Sequence, residues 1–83
     1  MYTVYSLFNE KHGKIYVGQT EDLKFRLNAH LIKFFPKAYT AKFDGDWNLI
    51  YKEEVKTRIE ALRRERQLKS YRGREFLKDL IKK

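Results

Sequence analysis

The sequence predicts an α+β fold: a small three-stranded, mainly antiparallel sheet flanked by helices, in the order β-β-α-β-α-α. Three observations lead there. Three short runs are dense in β-branched and aromatic residues and are bounded by turn formers. Three other segments combine helix formers with apolar residues at helical spacing. The 83 residues make one domain, residues 1–83, so every element must share one modest core.

The first strand is "YTVYSLF", residues 2–8. "NEKHG" follows with turn formers, and Gly13 can supply a positive φ. "KIYVG" resumes the strand pattern, so the first eighteen residues form a hairpin. Thr20 is the expected N-cap of a helix reaching to about Lys33, with Glu21 and Asp22 in its first turn and Pro36 barring extension. Residues 36–46 read as a loop and "WNLIYKEEV", residues 47–55, as the third strand. Thr57 caps "RIEALRRERQLKSYR", Gly73 interrupts it, and "REFLKDLIKK" is a short final helix with Phe76, Leu77, Leu80 and Ile81 at helical spacing.

Composition narrows the function classes. The formal charge is +8, from 19 Lys and Arg against 11 Asp and Glu, and it is concentrated in the last thirty residues. A basic end on a compact domain calls for a polyanion, nucleic acid before anionic membrane. There is no cysteine, which removes disulfides and thiolate chemistry, and no apolar run approaches the length of a membrane span. The start does not read as a signal peptide, and a reducing, cytoplasmic location fits best.

Two helices carry polar residues where apolar ones are expected. In the first, Leu23, Leu27, Leu31 and Phe34 form the stripe that should meet the sheet, and Arg26 and His30 sit beside it, one turn apart. Either they lie at the rim with their stems snorkelling outward, or they line a polar cleft. In the second, Ala61, Leu62 and Leu68 mark the apolar arc, with Glu65 between them and Arg63, Arg64 and Arg66 on other faces. Glu65 is either a counter-ion for those arginines or part of a site. Arg, His, Glu and Tyr converging on one surface could hold a hard cation, neutralise a phosphate and move a proton, the parts for phosphodiester cleavage.

These residues resemble the GIY-YIG nuclease superfamily. "TVY", Thr3 to Tyr5, stands where its first motif would be, and "YVG", Tyr16 to Gly18, where its second would be. Ten residues separate Tyr5 from Tyr16, Arg26 and His30 match the next positions, and "EALRRERQLK" resembles the segment carrying the metal-binding glutamate. The likeness spans roughly Tyr2 to Leu80 and is greatest for small stand-alone bacterial members, which are similar to the N-terminal nuclease domain of the bacterial excinuclease. It implies an endonuclease using one Mg²⁺ or Mn²⁺ ion on nucleic acid, most of all DNA, in repair, recombination or processing. Carried over by position, it implies Tyr5 and Tyr16 as the proton-handling or water-orienting pair and Arg26 as phosphate clamp. His30 would be a proton donor or orienting group and Glu65 the metal ligand. Gly18 would turn the chain from strand to helix, Gln19 would hydrogen-bond substrate, and Arg63 and Lys69 would hold the strand. Thr3 replaces the motif glycine, Val4 and Val17 replace isoleucines, and no asparagine lies beyond Asn48, where many active relatives carry one after the glutamate helix. An alternative therefore stays open: a nucleic-acid-binding module on the same scaffold with weak or lost chemistry. A third reading is a basic partner-binding protein with a structural Arg–Glu pair.

Other signals carry less. Asp44, Asp46 and Asn48 begin like a calcium loop, but Leu49 and Val55 stand where its glycine and glutamate belong, so a polar turn is expected. His12 should be solvated in the hairpin turn. Trp47 and Tyr51 are expected to pack or pair across strands rather than stack on bases, and Phe8, Phe25 and Phe43 to be core.

Overall fold

A computed structural model describes residues 1–25 and 44–82. The hairpin joins β1 (Tyr2–Asn9) to β2 (Lys14–Thr20) through a turn in which Gly13 has the expected positive φ of 65°. β3 (Trp47–Val55) pairs antiparallel with the other side of β1, giving the strand order β2-β1-β3. Helical backbone opens at residues 23–25, between β2 and β3, and the predicted class and element order hold. Arg26, His30 and Phe43 lie outside the described residues.

The start of that first helix differs from expectation in its cap. Thr20 still belongs to β2, and its hydroxyl accepts from the Asp22 N–H at 3.1 Å. Asp22 then caps the helix by accepting from the Phe25 N–H at 3.0 Å. Phe25 itself is 58% exposed and is no part of the core. Phe8 is half-buried.

Two helices cover one face of the sheet: α1 (Arg58–Lys69) and α2 (Tyr71–Ile81). Thr57 caps α1 as predicted, accepting from the Glu60 N–H at 3.2 Å, while the Glu60 carboxylate reaches back to the Lys56 N–H. The break between the helices falls at Ser70, not Gly73. Ser70 closes α1 through its N–H to the Gln67 carbonyl and opens α2 by accepting from the Gly73 N–H. Gly73 lies inside α2 and serves close approach. A Cβ there would stand 2.3 Å from the Gln67 carbonyl oxygen and 2.4 Å from the Leu68 Cα, so only hydrogen lets the helices fold back this tightly.

The core on this face is Val4, Val17, Ala61, Leu68 and Leu77, with Tyr2, Ile15, Ile50, Tyr51, Val55 and Leu80 packed around it. Leu62, expected in the apolar arc, is instead 43% exposed. The inward side of α1 is Ala61, Arg64, Glu65 and Leu68, an i, i+3, i+4, i+7 set in which every member is buried or half-buried. Arg64 therefore faces inward rather than away. Its Nε donates to Glu53 Oε1 on β3 at 2.6 Å, and the Tyr51 hydroxyl donates to the same oxygen at 2.8 Å. Tyr51 also meets Phe76 edge-on, with ring centroids 5.4 Å apart, so it packs as expected.

At the far end of the sheet a polar clasp ties the hairpin turn to the entry of β3. Asn9, fully buried, donates to the Asp44 carbonyl at 2.9 Å and accepts from the His12 N–H at 3.1 Å. The Asp44 carboxylate is held by Lys11 and by His12 Nε2. Hydrogen bonds from Lys11 first, and His12 second, keep Asp44 far below the usual carboxylate range. His12 is thus partnered rather than merely solvated, and Asp44 belongs to a polar turn, not a calcium loop.

Candidate active site

The site begins with strand register. Tyr5 on β1 stands opposite Gly18 on β2, and Leu7 opposite Tyr16. Side chains alternate across a strand, so Tyr5, Leu7, Tyr16 and Gly18 share the face turned away from α1 and α2. Val4, Ser6 and Val17 take the helix-covered face, where the Ser6 hydroxyl donates to the Tyr16 carbonyl at 3.1 Å and locks the two strands together. Tyr2 shares the Val4 side, so it is separated from the tyrosine pair. A hydrogen bond to Glu21 raises the Tyr2 phenol above its ordinary pKa, with partial burial adding to it.

Tyr5 and Tyr16 come together as a diagonal pair, with centroids 6.0 Å apart and planes tilted by 45°. Tyr5 is only 1% exposed, and Tyr16 is half-buried. Gly18 is what lets them converge. A Cβ built on it would lie 2.9 Å from the Tyr5 hydroxyl oxygen, 2.9 Å from Tyr16 Cε2 and 3.1 Å from the Tyr16 hydroxyl oxygen. Both phenol oxygens thus hang over one point on the edge strand. Gly18 lies within β2, so its service is room for two hydroxyls, not the tight turn the sequence suggested.

Glu65 approaches the same edge strand from the other side of the sheet. Arg64 reaches β3, and Glu65 flanks the opposite side of the Ala61–Leu68 stripe, on which β2 lies. Its carboxylate accepts from Lys69 Nζ at 2.8 Å, an i,i+4 pair in the favourable order, with the Glu65 side chain 21% exposed. Lys69 and Tyr16 both line a hollow of ≈ 460 Å³ between β2 and the helices. Of the other predicted contacts, Gln19 pairs with Val4 and so lies on the helix-covered face. Arg63 is exposed on the outer side of α1.

The electrostatic pair missed by sequence reasoning is Arg64–Glu53. Burial pushes the Glu53 carboxyl up, but the hydrogen bonds from Arg64 and Tyr51 outweigh it and hold the group below the usual glutamate range. The same bond raises Arg64 further. The i, i+3, i+4, i+7 set on α1 was the signal that could have placed Arg64 inward. This is a structural Arg–Glu pair, and it leaves Glu65 out.

Metal-binding capacity among the described residues rests on single carboxylates, because no group of three His, Cys, Asp or Glu gathers there. A half-buried Glu65 fits an ion such as magnesium, which keeps most of its waters and takes one or two carboxylates plus substrate phosphate. Among the described residues there is no set of three or four ligands of the kind zinc asks for. No helix among the described residues is long and apolar enough to cross a membrane.

Comparison with known proteins bears on the family and the fold. The family model described as the GIY-YIG catalytic domain matches residues 1–77. A solved structure of similar fold is the solution NMR structure of the UPF0213 protein of Bacillus halodurans, 29% identical, with 96% of this chain and 85% of that one covered at a TM-score of 0.55. No curated protein matches significantly.

Proposed function

Because the chain belongs to the GIY-YIG catalytic-domain family, we propose that it is a metal-dependent endonuclease that hydrolyses phosphodiester bonds in DNA. The family is one of nucleases, typically dependent on a divalent metal, so the substrate class is nucleic acid. The observation that carries the proposal is the meeting of two phenol hydroxyls over Gly18. Hydroxyls so placed can orient an attacking water and relay its proton, and the burial of Tyr5 fixes the geometry in advance. Glu65 would hold the cation, Mg²⁺ or Mn²⁺, which when bound supplies Lewis-acid polarisation of the phosphate. Arg26 would clamp the phosphate and His30 would donate or orient a proton. Gln19, Arg63 and Lys69 would contact the strand. Cytoplasmic DNA repair, recombination or processing is the setting we assign.

The test is cleavage of plasmid and branched DNA with Mg²⁺, Mn²⁺ or EDTA. Tyr16→Phe and Glu65→Gln should each lose about 10²-fold or more, the usual worth of a proton-relaying or charge-stabilising group. Equal cleavage by wild type and both variants would remove the proposal. A second reading, a binding module without efficient chemistry, draws on the Lys69 ammonium already seated on Glu65 and on the lack of asparagine beyond Asn48. It predicts DNA binding with no cation-dependent cutting.

A further inference from the structure

We infer that the hollow beside β2 binds a backbone phosphate of the nucleic-acid strand, next to the phosphodiester offered to the tyrosine pair. This subsite rests on the nuclease reading and extends it. Four cationic residues from three elements line the hollow: Lys14 at the start of β2, Lys69 at the end of α1, and Arg74 and Lys78 on α2. Its apolar floor includes Ile15 and Leu68, and no acid lines it among the described residues. The acid at its margin, Glu65, touches Lys69.

Fold stability does not account for this arrangement. Arg74 and Lys78 are one helical turn apart, and a like-charged i,i+4 pair costs an isolated helix about 0.2–0.5 kcal/mol. The chemistry of the bound anion follows from the position. The wall of the hollow is β2, the edge strand whose other face carries the Tyr5–Tyr16 pair, and Lys69 in its lining touches Glu65, the candidate metal ligand. An anion seated here is therefore close to the candidate active site, as successive phosphates of one strand are. A membrane surface would need these cations on a protruding face, whereas they line a concavity. A polyphosphodiester fits both the charge and the place.

The experiment is fluorescence anisotropy of labelled DNA, single- and double-stranded, and of RNA of the same sequence. EDTA is present throughout so that no cleavage occurs. Arg74 and Lys78 are both exposed, so the double variant Arg74→Gln/Lys78→Gln should melt like wild type. It should bind about tenfold more weakly at low salt, with a slope of log K against log salt shallower by about 0.9 on duplex and about 0.7 on single strands, the value for one lost phosphate contact. Lys56→Gln removes an exposed charge outside the hollow and should change neither quantity. Comparison of the DNA and RNA arms identifies which polymer supplies the phosphate. Wild-type affinity and slope in the double variant would overturn the subsite, as would an equal loss in Lys56→Gln. Displacement of DNA by micromolar inorganic phosphate or ATP would also overturn it, making the hollow a small-anion site. Weakened binding by the double variant of a protein that never cuts DNA would sustain the subsite and remove only the nuclease reading.

Discussion

Replacing Gly18 with alanine puts a methyl group where two phenol oxygens now converge. The new carbon would lie 2.9 Å from the Tyr5 oxygen, 2.9 Å from Tyr16 Cε2 and 3.1 Å from the Tyr16 oxygen, against ordinary contacts of 3.4–4 Å. Each ring must retreat by about half an ångström, and Tyr5, fully buried, has little room to do so. Because a misplacement of about 1 Å at a reacting centre can cost about 10²-fold, the variant should cleave about 10–100-fold more slowly. Stability should fall much less. Gly18 needs no positive φ, so alanine gains about 0.4–1 kcal/mol by restricting the unfolded chain, while overpacking costs about 1–3 kcal/mol. The net loss should be about 1–2 kcal/mol. Single-turnover cleavage and urea unfolding of the same preparation separate the two effects. Cleavage at the wild-type rate would refute the role given to the converging hydroxyls, and so would an activity loss fully explained by unfolding.

Three further perturbations test the frame that carries the site. Gly73→Ala drives a carbon into the backbone of Gln67 and Leu68, where no rotamer relieves the clash, so it should cost about 3 kcal/mol and lower the Tm by about 12 °C or more. A loss under about 1 kcal/mol in urea unfolding would contradict that packing. Glu53→Gln should cost about 1 kcal/mol at neutral pH, given that both partners of the Arg64 pair are partly exposed. Since Glu53 titrates lower when folded, its contribution is present above the ordinary glutamate pKa of about 4.3 and is lost as pH falls through the lowered value. The wild-type advantage over Glu53→Gln should thus be flat from neutral pH to about 5 and shrink below it; an advantage that grows on acidification contradicts the assignment. Asp44→Asn should loosen the hairpin turn without touching cleavage, seen as faster amide exchange at His12 with unchanged rates. Unchanged exchange at His12 would count against the clasp.

Local chemistry was legible where the chain's own periodicity decides the outcome. The third strand runs over the predicted residues, because β-branched and aromatic side chains meet turn formers at both ends. The ten-residue spacing of Tyr5 and Tyr16 sets a hairpin register that puts both rings on one face, and helical spacing put Glu65 on the inner side of α1. What escaped depends on partners distant in sequence. His12 meets Asp44 thirty-two positions away, and Arg64 turns inward because Glu53 waits on β3. Gly73 signals a break in a linear reading, yet its task is set by another helix's backbone. Phe25 and Leu62 are apolar but face solvent, since a small domain cannot hide every apolar side chain. The expectation of one shared surface met a more divided arrangement: the tyrosines lie on one face of β2 and the glutamate comes from the helix on the other.

The account depends on Glu65 and the tyrosine pair acting at one place on β2. Adding Mn²⁺ to protein with NMR-visible tyrosine rings tests this directly, because paramagnetic broadening falls off steeply with distance from the ion. The account predicts that the Tyr5 and Tyr16 ring signals broaden first, together with the Gly18 amide, and that Glu65→Gln abolishes the effect. Broadening centred on the Asp44 clasp or on Glu53, or broadening that survives Glu65→Gln, would contradict it.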